Sequence, residues 1–143
     1  MTARLLVALQ VGLIGFLFLP RTSGTGRPWP ALLLLVAGAG WLAWTLRVNP
    51  PPNIHLRPVV KPGARLVTRG PYRLVRHPMY LGVLVACAAP ALFRPDGWRL
   101  AAWLALLGVL TAKARLEEAA LAARFPEYGA YRRDRRFLIP GVW

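Results

Sequence analysis

The residues with the most chemical capacity lie in one short stretch, Val67-Thr68-Arg69-Gly70-Pro71-Tyr72-Arg73-Leu74-Val75-Arg76-His77-Pro78-Met79-Tyr80-Leu81-Gly82. Arg69, Arg73, Arg76, Tyr72, Tyr80 and one of the chain's two histidines fall within it. Pro71 and Pro78 fix φ and disfavour helix at the residue before each, so the backbone should turn twice. Gly70 and Gly82 permit a turn or a close backbone approach. Beyond Pro78 the polarity ends, and Tyr80 to Ala89 reads as buried helix. Such a cluster of donors at the lip of an apolar helix points to a binding site at a membrane surface. A second polar group follows later, where Lys113, Arg115, Glu117 and Glu118 arrive within two helical turns. Lys113 and Glu117 are spaced i,i+4, share a face and can pair. Taken alone, that spacing favours an exposed ion pair worth about 0.3–0.5 kcal/mol. Taken alone, His77 serves equally as a cap of the following helix, and Tyr72 and Tyr80 as interfacial anchors.

Four apolar runs must position these groups. Leu5 to Leu19 is apolar apart from Gln10, and a signal peptide is its alternative reading, although no small-x-small cleavage site follows. Ser23 to Pro30 is a turn-rich connection, and Ala31 to Leu46 is the second run, with Trp29, Trp41 and Trp44 near its ends. Its Ala37, Gly38, Ala39 and Gly40 would let a neighbouring helix come close. Asn49-Pro50-Pro51-Pro52-Asn53 ends that helix, and a basic loop containing His55, read as solvated, runs on to Arg76. Met79 to Phe93 is the third run, interrupted by Pro90; Arg94-Pro95-Asp96-Gly97 makes a turn; Leu100 to Ala112 is the fourth. Each run is shorter than the roughly 20 residues that cross a bilayer core, but flanking residues bring the first, second and fourth near the lower limit of about 17. Arg4, Arg47, Arg94 and Arg99 can snorkel from the ends. A soluble bundle would show a polar outer face on each helix, and these runs show almost none. Past Thr111 the fourth helix continues beyond the membrane. The tail from Arg124 then alternates aromatics with arginines, suiting a surface anchor, and Leu138-Ile139-Pro140 reads as an extended end against the core.

Composition agrees. Hydrophobic residues make up 56% of the 143 and charged residues 17%, and the mean hydropathy is +0.41, too apolar for an ordinary soluble domain. The net charge of +14 would suggest nucleic acid if spread over a folded surface. Instead, seven of the 19 basic residues fall between Arg47 and Arg76 and seven between Lys113 and Arg136. That clustering suits cytoplasmic segments flanking membrane spans and attracts anionic headgroups. The one cysteine, Cys87, excludes an internal disulfide and a cysteine-rich metal site, and reads as a small buried helix residue.

The run RGPYRLVRHPMYLG resembles the signature of the isoprenylcysteine carboxyl methyltransferase and phospholipid methyltransferase superfamily. Glu117-Glu118-Ala119-Ala120-Leu121, then Phe125-Pro126-Glu127-Tyr128 with Tyr131, then Ile139-Pro140, resemble its second half. The likeness spans about Leu66 to Pro140 and leaves out the first two apolar runs. It implies an integral-membrane enzyme that uses S-adenosyl-L-methionine, although the chain has no glycine-rich G-x-G-x-x-G loop after a strand. The resemblance implies that Ala64, Arg65, Leu66, Val67, Tyr72, His77, Pro78, Met79, Tyr80 and Glu117 hold the cofactor, with Glu118 a second candidate acceptor. Animal members carry an arginine that contacts the substrate carboxylate where this chain has Lys113, with Arg115 two residues on. Lys113 and Glu117 are thus candidate catalytic residues, Lys113 orienting the acceptor; Arg76 joins them as the site candidate among Arg69, Arg73 and Arg76, which read as a headgroup-binding set. A carboxylate acceptor needs no general base; an amine would need one, and His77, Tyr80, Glu117 or Glu118 could serve.

The expectation is therefore an all-α integral-membrane bundle of about four transmembrane helices. It forms one domain over 1–143: two N-terminal spans (1–48), a cytoplasmic loop (49–78), and two further spans with a catalytic C-terminal tail (79–143). Its function would be S-adenosylmethionine-dependent methylation of a lipophilic or membrane-embedded acceptor, carboxylate or amine. The active site would lie on the cytoplasmic side of the cell's inner membrane, with no nucleic acid and no metal. The rivals are a relative that binds cofactor or lipid without turnover, and a non-catalytic basic module recruiting anionic lipid or a partner protein.

Overall fold

The computed structural model describes residues 3–19, 28–50, 53, 63–93 and 96–141. His55, Arg57 and Lys61 of the basic loop and Arg94 of the later turn lie outside them. The described chain is helical: α1 (Ala3–Phe18), α2 (Pro28–Val48), α3 (Pro78–Phe93), α4 (Gly97–Arg124) and α5 (Tyr128–Asp134), with a 3₁₀ turn at Gly70–Arg73. No strand occurs among the described residues; Val75 and Arg136 form a lone parallel bridge. The all-helical expectation holds. Of the four apolar runs, α2 alone is long and apolar enough to cross a membrane by length and composition, while α1 and α3 are shorter apolar helices.

The helices pair as α2 with α3 and α1 with α4. The α2–α3 contact is close because glycines face it. A Cβ built on Gly38 would fall 2.6 Å from the Ala86 backbone nitrogen, and one on Gly82 would fall 2.6 Å from Leu42 Cγ. The small-residue stretch of α2 thus admits a neighbouring helix as its composition predicts. Leu84, Cys87, Leu106, Leu110 and Leu138 pack into the main core together with Leu17 of α1. The outward faces stay apolar: Leu33 is 70% exposed, and Trp29 and Trp98, at the starts of α2 and α4, are 71% and 75% exposed.

Arg99 departs from expectation. It is not a snorkelling side chain but a buried cap, 2% exposed. Its Nη1 pairs with Asp96 Oδ2 at 3.0 Å, and its Nη2 donates to the Leu19 carbonyl at 2.9 Å. The last carbonyls of a helix have no partner within it, and a guanidinium from the adjoining helix supplies one. Asp96 in turn caps α4, accepting from the Arg99 backbone N–H at 2.7 Å. At 28 residues α4 is the longest helix. It outruns its core contacts and delivers Glu117 and Glu118 beyond the apolar run, as the change of character after Thr111 predicts.

Candidate active site

Four elements converge on one cavity. The 3₁₀ turn opens on Gly70, whose φ of +59° is a conformation glycine adopts without strain, and Pro71 follows within it. Tyr131 Oη donates to the Tyr72 carbonyl at 2.8 Å, and the Arg76 backbone N–H donates to the Arg136 carbonyl at 2.8 Å. The turn is thereby tied to α5 and the tail. His77 follows at the mouth of α3, where its carbonyl accepts the Tyr80 and Leu81 amides at 3.1 and 3.2 Å. On the other side, Asn53 grips Arg65 twice, with Oδ1 accepting from Arg65 N at 3.0 Å and Nδ2 donating to Arg65 O at 2.7 Å. This pairing sets the course of the segment beginning at Ala64.

The cavity is lined by Ala64, Arg65, Leu66 and Val67 of that segment, and by Tyr72 and Arg76 of the turn region. His77, Pro78, Met79 and Tyr80 add the start of α3, and Glu117 comes from α4. The ten positions to which the resemblance assigns the cofactor therefore share one cavity. Glu118 is not among its lining residues, and neither is Lys113. Asn49, Asn53, Leu121, Phe125, Tyr128 and Tyr131 also line it, and the residues alone did not single these out as site groups. For Tyr128 and Tyr131 a signal existed, since the aromatic tail belongs to the signature that Glu117 opens. For Asn49 and Asn53 there was none, because a proline-flanked asparagine reads only as a helix stop.

Beneath the cavity runs a charged chain of contacts. The His77 ring lies between the two glutamates, Nε2 at 3.3 Å from Glu118 Oε1 and Nδ1 at 3.7 Å from Glu117 Oε2. Its side chain thus engages carboxylates rather than capping backbone. Arg76 Nε meets Glu118 Oε1 at 2.6 Å, and Arg76 Nη1 donates to the carbonyls of Arg132 (2.9 Å) and Arg135 (2.5 Å). Tyr80 Oη donates to Glu117. The network sets protonation. Burial, the largest influence, pushes Glu118 upward, but His77 and Arg76 outweigh it and hold the carboxyl down at about 2. Burial pushes His77 downward, yet bonds to Glu117 and Glu118 outweigh it and leave the imidazole above its ordinary value. Burial, then Tyr131 and Glu117, raise Tyr72, which stays a neutral donor. Tyr128 is raised by burial and by the nearby Glu118 charge, and its buried Oη is within hydrogen-bonding geometry of no side chain among the described residues.

Lys113 does not pair with Glu117. It is 1% exposed, its Nζ donates to Gln10 of α1, and it lies 5.4 Å from the Tyr80 ring centroid. The i,i+4 spacing permitted an ion pair, but packing of α1 on α4 brings Gln10, the one polar residue of the first run, to the ammonium instead.

A buried His–Glu–Arg network thus lies under a cavity at the end of an apolar helical bundle. The family profile described as phospholipid methyltransferase matches residues 27–128. The chain belongs to this family, part of the integral-membrane methyltransferase superfamily. The match takes in α2, α3, α4 and Tyr128 and leaves out α1. No curated protein and no solved structure matches the chain.

Proposed function

We propose that the protein transfers a methyl group from S-adenosylmethionine to a lipophilic acceptor that reaches the site from the bilayer. The observation that carries this reading is the convergence of segment 64–67, the 3₁₀ turn, the start of α3 and Glu117 on one cavity. Its chemistry fits the cofactor's parts. Glu117 is an acceptor for an amine or ribose hydroxyls, and Arg65 and a charged His77 are partners for a carboxylate. Leu66, Val67, Met79, Leu121 and Phe125 would give a purine apolar surface, with Tyr128 lining the same cavity. Bound there, the cofactor would supply an electrophilic methyl group on a sulfonium.

The chain's own tasks are alignment and exclusion of water. Tyr80 steadies the Glu117 carboxylate, and the Arg76–Glu118–His77 chain keeps the imidazole fixed. A carboxylate acceptor would need no proton removed; an amine would, and Glu117 is the carboxylate lining the cavity. Lys113, buried beside Gln10 and Tyr80, would orient the acceptor's polar end. In the membrane, α1 to α4 would form four spans, with the cavity on the cytoplasmic side of the inner membrane. Residues 1–48 would supply two spans, 49–78 the loop, and 79–143 the catalytic half.

The test is cofactor calorimetry on purified protein, followed by mass spectrometry of lipids after incubation with a labelled methyl donor. His77→Ala and Glu117→Gln should each cost about 1.5–3 kcal/mol of cofactor affinity, while Arg133→Gln should leave it nearly unchanged. Near-wild-type affinity in both, with the fold intact, removes these residues from the pocket. Absence of both cofactor binding and labelled product would instead favour a basic membrane module.

A further inference from the structure

Behind Arg76 lies a second cleft. Arg115, Ala119 and Ala122 of α4 form one side; Arg132 and Arg133 of α5 and Arg136 of the tail form the other. Among the described residues, Arg76 alone lines both this cleft and the first cavity. The two alanines are small, and arginines from both sides line one shared concavity. Glu118 is the one carboxylate lining the cleft, and its oxygens are already engaged. Oε1 takes Arg76 and His77, and Oε2 lies 3.5 Å from Arg132 Nε. Among the described residues, no carboxylate comes within 4.0 Å of Arg115, Arg133 or Arg136. Converging like charges in a concave site repel one another and draw in a counter-ion. Planar guanidinium forks match the oxygen geometry of phosphate better than that of a point-like anion.

We propose that this cleft binds a phosphate-bearing anion, either an anionic lipid headgroup or a soluble phosphoester, through Arg115, Arg132, Arg133 and Arg136. A methyl acceptor would have to meet the donor in the first cavity, on the far side of Arg76, so the bound phosphate is a resident of a separate site and not the group that reacts.

The experiment measures binding, not turnover, so its outcome is independent of the methyl-transfer reading. Full-length protein in neutral detergent is titrated with phosphatidylglycerol, with phosphatidylcholine and with glycerol 3-phosphate, and bound ligand is counted by native mass spectrometry. Arg115→Gln, Arg133→Gln and Arg136→Gln are compared with Arg124→Gln, which removes an exposed charge from α4 outside the cleft; melting curves check that each variant folds. Saturable one-to-one binding, weakened roughly tenfold by each cleft variant and less than twofold by Arg124→Gln, supports the site. Binding of both phosphatidylglycerol and glycerol 3-phosphate shows that the phosphate suffices, while binding of phosphatidylglycerol alone assigns the site to lipid. Binding that does not saturate, or that Arg124→Gln weakens as much as the cleft variants, overturns the proposal, because general positive charge would then explain it.

Discussion

At the scale of single residues, His77 and Glu118 give the fold a pH dependence of known sign. His77 is held above its ordinary 6.5 by two carboxylates that outweigh its burial. Its contribution is therefore full below 6.5 and lost as pH climbs through the folded value. Glu118 is depressed from 4.5 to about 2, so its contribution is full above 4.5 and lost as pH falls toward 2. Melting temperature in detergent should peak between those limits and fall on both sides. His77→Gln should remove the alkaline decline and weaken the acid one, which Arg76 still supports; an unchanged alkaline decline would place its origin elsewhere. Lys113 carries a second residue-scale prediction. Buried beside Gln10 and over Tyr80, it does not line the first cavity; on the proposed function, Lys113→Ala should lower methyl transfer while leaving cofactor affinity nearly unchanged. Lys113→Arg should retain activity toward acids. Loss of cofactor binding in Lys113→Ala, with turnover intact at saturating cofactor, would instead make the lysine part of the cofactor cradle.

At the scale of elements, the position of the site depends on how closely α2 and α3 pack. Asn49 ends α2 and reaches Met79 Sδ at 3.7 Å, and Trp41 Nε1 donates to the Pro78 carbonyl at 2.8 Å. Moving α2 therefore moves the residues beside His77. Gly38 and Gly40 make a matched pair for testing this. A Cβ on Gly38 meets backbone at 2.6 Å, whereas one on Gly40 meets nothing within 4 Å. Gly38→Ala should cost about 1–3 kcal/mol through overpacking. Gly40→Ala should be neutral or slightly stabilising, since alanine is the better helix former by up to about 1 kcal/mol. Chemical denaturation in detergent micelles measures both, and equal effects would contradict the packing.

At the scale of the whole molecule, charge and apolar surface divide the protein. The starts of α2 and α4 present exposed tryptophans, whereas the 3₁₀ turn, the far end of α4 and α5 carry the arginines. Exposed aliphatic faces of this extent suit lipid contact more than water. In a cell membrane, both termini and the loop before α3 should lie in the cytoplasm. In a Cys87→Ala background, Arg69→Cys should label only from the cytoplasmic side and Gly97→Cys only from the opposite one. Reversal of either would overturn the four-span topology.

Much of this was legible in the sequence. The helical class follows from apolar runs without a polar face. The turns at Pro71 and Pro78 follow from ring-fixed φ, and the tolerance of α2 for a close neighbour follows from its glycines and alanines. These properties are local: each is decided by a residue and the few on either side of it. Pairings across the fold are not. That Arg99 would cap α1 rather than reach for headgroups, that Gln10 would take Lys113 from Glu117, and that Asn53 would clamp Arg65 all depend on which helices pack together. So does the division of the acidic pair, with Glu117 lining the cavity and Glu118 turned to the arginine cleft. Adjacent residues on a helix point about 100° apart, and only the packed neighbours decide what each one meets.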